Sequence, residues 1–129
     1  MSFDIERAIS HARLRARPTS RGECATYTRQ AIEAGGIRLD RTPHAKNYGA
    51  SLERAGFVRV STPRRGDVVV IQAPSSCSRE ESCFSGHMAI FDGISWVSDY
   101  VQRELYPGPR YRQDRPSYYI YRYGGDHHD

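Results

Sequence analysis

SRGECATYTRQAIEAGG, Ser20 to Gly36, is the stretch on which the fold turns. Ser20 and Glu23 match the S-x-x-E capping box and predict a helix that begins near Ser20. Ala25, Ala31 and Ile32 give it a buried face, and Gly35-Gly36 ends it. Cys24 then sits in the first turn, at the positive end of the helix dipole. That position favours the thiolate, which is the nucleophilic form of the side chain, and predicts a pKa below about 8.5 with fast alkylation. The competing reading is a small buried apolar residue, which is what most free cysteines are. Position alone leaves both open.

Upstream, Ile5, Ala8, Ile9 and Ala12 fall at helical spacing within residues 3–16, and Pro18 stops that helix. Downstream, a third helix is predicted over 46–55, burying Tyr48, Leu52 and Ala55 and closed by Gly56. The pattern then changes. Short strands are predicted at 57–60, 68–72, 87–91, 96–100 and 117–123, with 68–72 continuous in apolar residues and therefore central. Asp92-Gly93 marks a hairpin between two of them. Residues 73–86 and 107–116 read as loops, and the tail 124–129 as disordered. Helices first and an antiparallel sheet afterwards make an α+β fold, with N-terminal helices packed on the sheet, in a single domain spanning 1–129.

The chain has 129 residues, 38% of them hydrophobic, and no apolar run long enough to span a membrane, so no membrane insertion is expected. MSFDIERAISHARLRARP at the start lacks the apolar centre of a Sec signal. The net charge of +4 favours polyanionic partners, among them nucleic acid, anionic lipid and bacterial wall polymer. A nucleic-acid binder groups basic and aromatic residues on one surface. Arg110, Tyr111, Arg112, Arg115 and Tyr118 come nearest, and read instead as a loop and strand beside a substrate groove, or as plain surface. No nucleic acid is expected as partner. His87, Asp99, His127 and His128 offer zinc no H-E-x-x-H or C-x-x-C spacing, so no metal and no cofactor is expected.

Three cysteines suggest one bridge, Cys77–Cys83, and one free thiol, Cys24. The alternative is two unlinked surface thiols. A bridge would tether the segment that leads into His87, and would be expected where the protein works in an oxidising space.

A cysteine nucleophile needs a base. His11 lies on a polar helix face, His44 follows Pro43 in a loop, and His127 and His128 are in the tail. His87 differs: it follows Ser85-Gly86 and opens the apolar strand HMAIF. It is a base held at a strand edge, or a structural imidazole. The hairpin can return Asp99 to its side to orient the ring, although Asp99 also reads as an exposed strand-end carboxylate. Tyr27, one turn after Cys24, either lines the site or packs in the core.

Four motifs in order carry a resemblance: Gly22–Tyr27 as G-x-C-A-x-Y, Pro63–Val70 as P-x-x-GDVVV, Ser85–Gly93 as SGHMAIFDG, and Asp99 on the next strand. Together they resemble the CHAP/NlpC superfamily of papain-like cysteine amidases, which cut amide bonds in peptidoglycan. The resemblance implies a papain-like fold, Cys24 as nucleophile, His87 as base and Asp99 as the holder of its tautomer. WVSDYVQRELYPGPRYR, followed by SYYIYRY, is similar to the small amidase effectors of type VI secretion. That implies peptidoglycan as substrate, a cognate immunity protein as a candidate partner, a monomer made in the cytoplasm, and action in the periplasm of a target bacterium. The other readings are a non-catalytic wall-binding or interaction module on the same fold, and a housekeeping wall hydrolase. Which amide is cut stays open between the γ-D-glutamyl–diaminopimelate bond and the muramoyl–L-alanine bond.

Overall fold

The structure, a computed structural model, describes residues 2–124. The remainder of the tail expected to be disordered, with His127 and His128, lies outside the described residues.

Three helices come first. Helix α1 (Ile5–Arg15) starts from Asp4, whose carboxylate accepts the Arg7 N–H at 3.0 Å. Helix α2 (Cys24–Ala34) starts three residues later than the capping box predicts; Glu23 rather than Ser20 is its N-cap and makes no side-chain cap bond. A 3₁₀ turn (Ala45–Asn47) leads into α3 (Tyr48–Arg54). The strands are β1 (Phe57–Val60), β2 (Val68–Ile71), β3 (His87–Phe91), β4 (Trp96–Val97) and β5 (Tyr118–Tyr123). They form one sheet in the order β1-β5-β2-β3-β4, with every neighbouring pair antiparallel.

The apolar runs of β2 and β3 are continuous because both faces of the sheet are covered. Val68, Val70, Met88, Ile90 and Tyr121 face the helices, against Ala8, Ile9, Ile32 and Leu52. Val69, Ile71, Ala89, Trp96 and Ile120 face the other way, against Tyr111. Leu52 is fully buried, and truncating such a side chain to alanine costs about 2–5 kcal/mol.

Tyr111 belongs to a helix, α4 (Pro109–Asp114), where the sequence predicts a loop. Pro109 opens it, at a position where a missing N–H goes unnoticed, and Arg115 ends it in the left-handed conformation at φ 50°. The strand predicted over 96–100 is also shorter. It pairs only at Phe91–Trp96 and Ile90–Val97, then bends away, so the hairpin loop is Asp92–Ser95. Asp92 closes this loop by accepting the N–H groups of Ile94 and Ser95 at 2.8 and 2.6 Å, and Arg13 of α1 pairs with its other oxygen.

Candidate active site

Cys24 is the first residue of α2. The turn before it is built by Asp99, which is fully buried after the bend beyond β4. The Asp99 carboxylate accepts the backbone N–H groups of Arg21 (2.6 Å) and Glu23 (3.1 Å) and the Ser20 hydroxyl (3.3 Å). Arg17 N–H binds the Asp99 carbonyl at 2.8 Å. The expected Ser20–Glu23 capping box is therefore absent. A carboxylate makes stronger bonds to backbone N–H groups than a hydroxyl does, and it takes over as the anchor of the helix start.

This also corrects the expected role of Asp99. It makes no hydrogen bond to His87, and it is neither exposed nor on a strand. The His87 imidazole meets Gln102 instead, with Nε2 2.6 Å from Oε1. The Gln102 amide nitrogen donates to the carbonyls of Glu104 (3.0 Å) and Leu105 (3.2 Å). Those two acceptors fix which end of the amide faces the ring. Oxygen points at His87, so Nε2 carries the proton and Nδ1 is left as a free base. Gln102 is itself held by its N–H to Trp96 carbonyl bond of 2.8 Å. Gln102 is a residue that sequence reasoning missed: past the predicted strand, between Val101 and Arg103, an amide carries no motif.

The Cys24 sulfur lies against the backbone N–H of Met88, the residue after His87. Both Cys24 and His87 line a cleft of about 300 Å³, together with Ser20, Gly22, Ser85, Tyr100 and Tyr111. The structure thus brings two of the three expected catalytic side chains into one cleft and buries the third against the turn that precedes Cys24. Tyr27 does not line it; its hydroxyl accepts from Arg17 Nε at 2.7 Å.

Burial governs the electrostatics. Cys24 is 9% exposed and His87 6%. Desolvation pushes the thiol up to about 11, against the pull of the Met88 N–H, and the Asp99 charge adds to the rise. This burial opposes the low thiol pKa expected from the helix start. Desolvation likewise takes His87 below its usual 6.5, with Gln102 and Asp99 opposing it. The pair therefore rests as neutral thiol and neutral imidazole.

The approach to His87 is clamped. Cys77 and Cys83 form a disulfide with Cα atoms 6.1 Å apart, and Cys83 lines the cleft. Phe84 receives the Lys46 ammonium over its ring at 3.4 Å, and His44 Nδ1 sits 2.8 Å from the Ser85 hydroxyl. Gly86, at φ +73°, passes so close to β2 and the 3₁₀ turn that a β-carbon there would stand 2.7 Å from Lys46 Cβ. The disulfide takes both sulfurs out of the Cys77–Glu81–Cys83 cluster, the one group of potential metal ligands among the described residues.

No protein-family model and no curated protein matches the chain. Solved structures do. The chain is 46% identical to a chain of the type VI native effector–immunity complex Tae3–Tai3 from Ralstonia pickettii, with a TM-score of 0.85 over 95% of this chain and 100% of that one. In the selenomethionine form of the same complex the identity is 47%, the TM-score 0.80, and the coverage 89% and 98%.

Proposed function

Because the chain belongs to the family of the type VI secretion effector Tae3, we propose that it is a peptidoglycan amidase that opens an amide bond of the wall peptide with Cys24 and His87. The observation that carries this reading is the shared cleft, lined by a cysteine at a helix start and by a histidine whose Nε2 is engaged by Gln102. The similar structures are effector–immunity complexes, and a cognate immunity protein is the partner of this chain.

In the proposed reaction the substrate carbonyl enters the cleft and excludes the remaining water. His87 Nδ1 takes the thiol proton as the sulfur attacks the carbonyl carbon. Transfer accompanies attack, since both groups rest neutral. The oxyanion forms at the start of α2, where the Cys24 N–H has no intrahelical partner. Collapse of the intermediate breaks the C–N bond, and the proton on His87 goes to the leaving amine. Water, deprotonated by His87, then attacks the thioester and releases the acid, and the proton returns to sulfur. Gln102 accepts the Nε2 proton's hydrogen bond throughout and stabilises the imidazolium.

The test is digestion of purified sacculi and mass spectrometry of the muropeptides. Wild-type protein is expected to produce a new amine and a new carboxyl terminus at one bond, which identifies the amide cut. Cys24→Ala and His87→Ala are expected to produce neither. Exported to the periplasm of a bacterium without the immunity gene, the wild type is expected to lyse cells and Cys24→Ala to be harmless. An unchanged muropeptide profile with folded wild-type protein would refute the proposal.

A further inference from the structure

We propose that a second cleft, bounded by Arg103 and Arg112, is a subsite for a free carboxylate of the wall peptide adjoining the scissile amide; this rests on the hydrolase reading above. The cleft holds about 490 Å³ and is lined also by Pro18, Tyr100, Glu104 and Pro107. Tyr100 and Pro107 line the Cys24–His87 cleft as well, so the two hollows share a wall. That wall is pinned by the Tyr100 hydroxyl, which donates to the Pro107 carbonyl at 2.6 Å.

The charge in the second cleft is left uncompensated. Arg103 is exposed and has no hydrogen bond or ion pair among the described residues. Arg112 reaches its one carboxylate, Glu104, only at 3.9 Å. Elsewhere the arginines that pair do so closely, as in Arg65–Glu6 at 2.6 Å and Arg122–Asp67 at 2.8 Å. Two guanidinium groups against one loosely held carboxylate leave a net positive hollow that shares a wall with the Cys24 cleft. A guanidinium is shaped for bidentate binding of a carboxylate. Peptidoglycan stem peptides carry such groups beside their amides, on glutamate and on diaminopimelate. The subsite is also built on the segment that sets the base. Arg103 follows Gln102 directly, and the Gln102 amide holds the carbonyls of Glu104 and Leu105. A carboxylate seated there fixes the register of the peptide, so that the amide one residue away meets Cys24.

The experiment separates binding from turnover. Cys24→Ala protein is titrated by calorimetry with a purified disaccharide peptide carrying free carboxylates, and with the same compound after conversion of its carboxylates to carboxamides. The free acid is expected to bind about tenfold more tightly at low ionic strength, as two charge-assisted contacts warrant, and high salt should narrow the gap. Adding Arg103→Ala and Arg112→Ala should erase the preference, whereas Arg103→Lys with Arg112→Lys should keep most of it. Arg103→Glu alone should reverse it. Equal affinity of the Cys24→Ala protein for both compounds, or a preference that survives loss of both arginines, would overturn the subsite. Cleavage by wild-type protein is measured apart from this. Failure to cleave either compound refutes the hydrolase reading, and the titrations still decide the carboxylate.

Discussion

Gln102 Oε1 accepts the His87 Nε2 proton at 2.6 Å, and among the described residues no carboxylate hydrogen-bonds that imidazole. The ring is oriented by a neutral amide whose own direction is fixed by two carbonyls. In the proposed reaction this amide holds the tautomer and accepts from the imidazolium without adding a second negative charge to that of Asp99. Gln102→Ala is expected to lower kcat through loss of a hydrogen bond to a developing charge, about 1.5–3 kcal/mol or roughly 10- to 150-fold. Gln102→Glu should move the acid limb of kcat/KM to higher pH, because a carboxylate favours the protonated ring. Wild-type kcat and pH profile in Gln102→Ala would exclude this role.

Asp99 acts on the other partner. Its removal strands the N–H groups of Arg21 and Glu23 and frees the turn that presents Cys24. Asp99→Ala is expected to cost about 1–3 kcal/mol of stability in urea denaturation. It should also slow acylation, because the N–H proposed to bind the oxyanion at the start of α2 is no longer held. Gln102→Ala and Asp99→Ala should therefore separate: the first loses rate with a modest change in stability, the second loses both. Equal stability of the two variants would count against the division.

The buried thiol makes a prediction opposite to that of the helix start. Iodoacetamide labelling of Cys24 in the free protein is expected to be slow at neutral pH and to climb with pH toward about 11. Labelling that is already maximal near neutrality would show a thiolate stabilised at rest.

His87 links stability to pH. Its folded pKa lies below the usual 6.5, so on acidification the unfolded chain takes up this proton first. The His87 contribution is full above pH 6.5 and is lost as pH falls from there through the folded pKa. Urea midpoints should decline over that window in the wild type, and less steeply in His87→Gln. Identical slopes would place the titration elsewhere.

The Cys77–Cys83 bridge closes a loop of about seven residues, worth about 2.4 kcal/mol on chain entropy. Reduction, or Cys77→Ser with Cys83→Ser, is expected to lower Tm and also kcat, since Cys83 lines the cleft and His87 follows four residues later. Loss of Tm with unchanged kcat would make the bridge a structural staple alone.

The elements with strong period and strong punctuation were legible in the sequence. The end of helix α2 at Gly35, the core of β2, and β3 opening on His87 stand where apolar spacing and the glycines put them, while α2 begins later than its local capping signal. Helix α4 was hidden by its length: six residues give no period, and only Tyr111 is buried. The polar wiring was hidden for a different reason. Ser20 and Glu23 fit a capping box locally, but a buried carboxylate 76 residues from Glu23 binds the same turn more strongly. Nothing near Asp99 or Gln102 in the sequence says which of them reaches the imidazole, because that depends on a bend after Val97. Nor does it reveal that Cys24 is dry, which sets its acidity against the dipole.

The place of β5 in the sheet bears on how the protein comes into being. β1 and β2 are consecutive in the chain yet never pair, for β5 lies between them and bonds to both. The slot between β1 and β2 is filled only once residues 118–123 have been made. Such long-range closure is slow and comes late. Shortening the protein from this end does not trim a border; it takes out the middle plank. The sheet that carries His87 therefore cannot be completed until its last strand has been made.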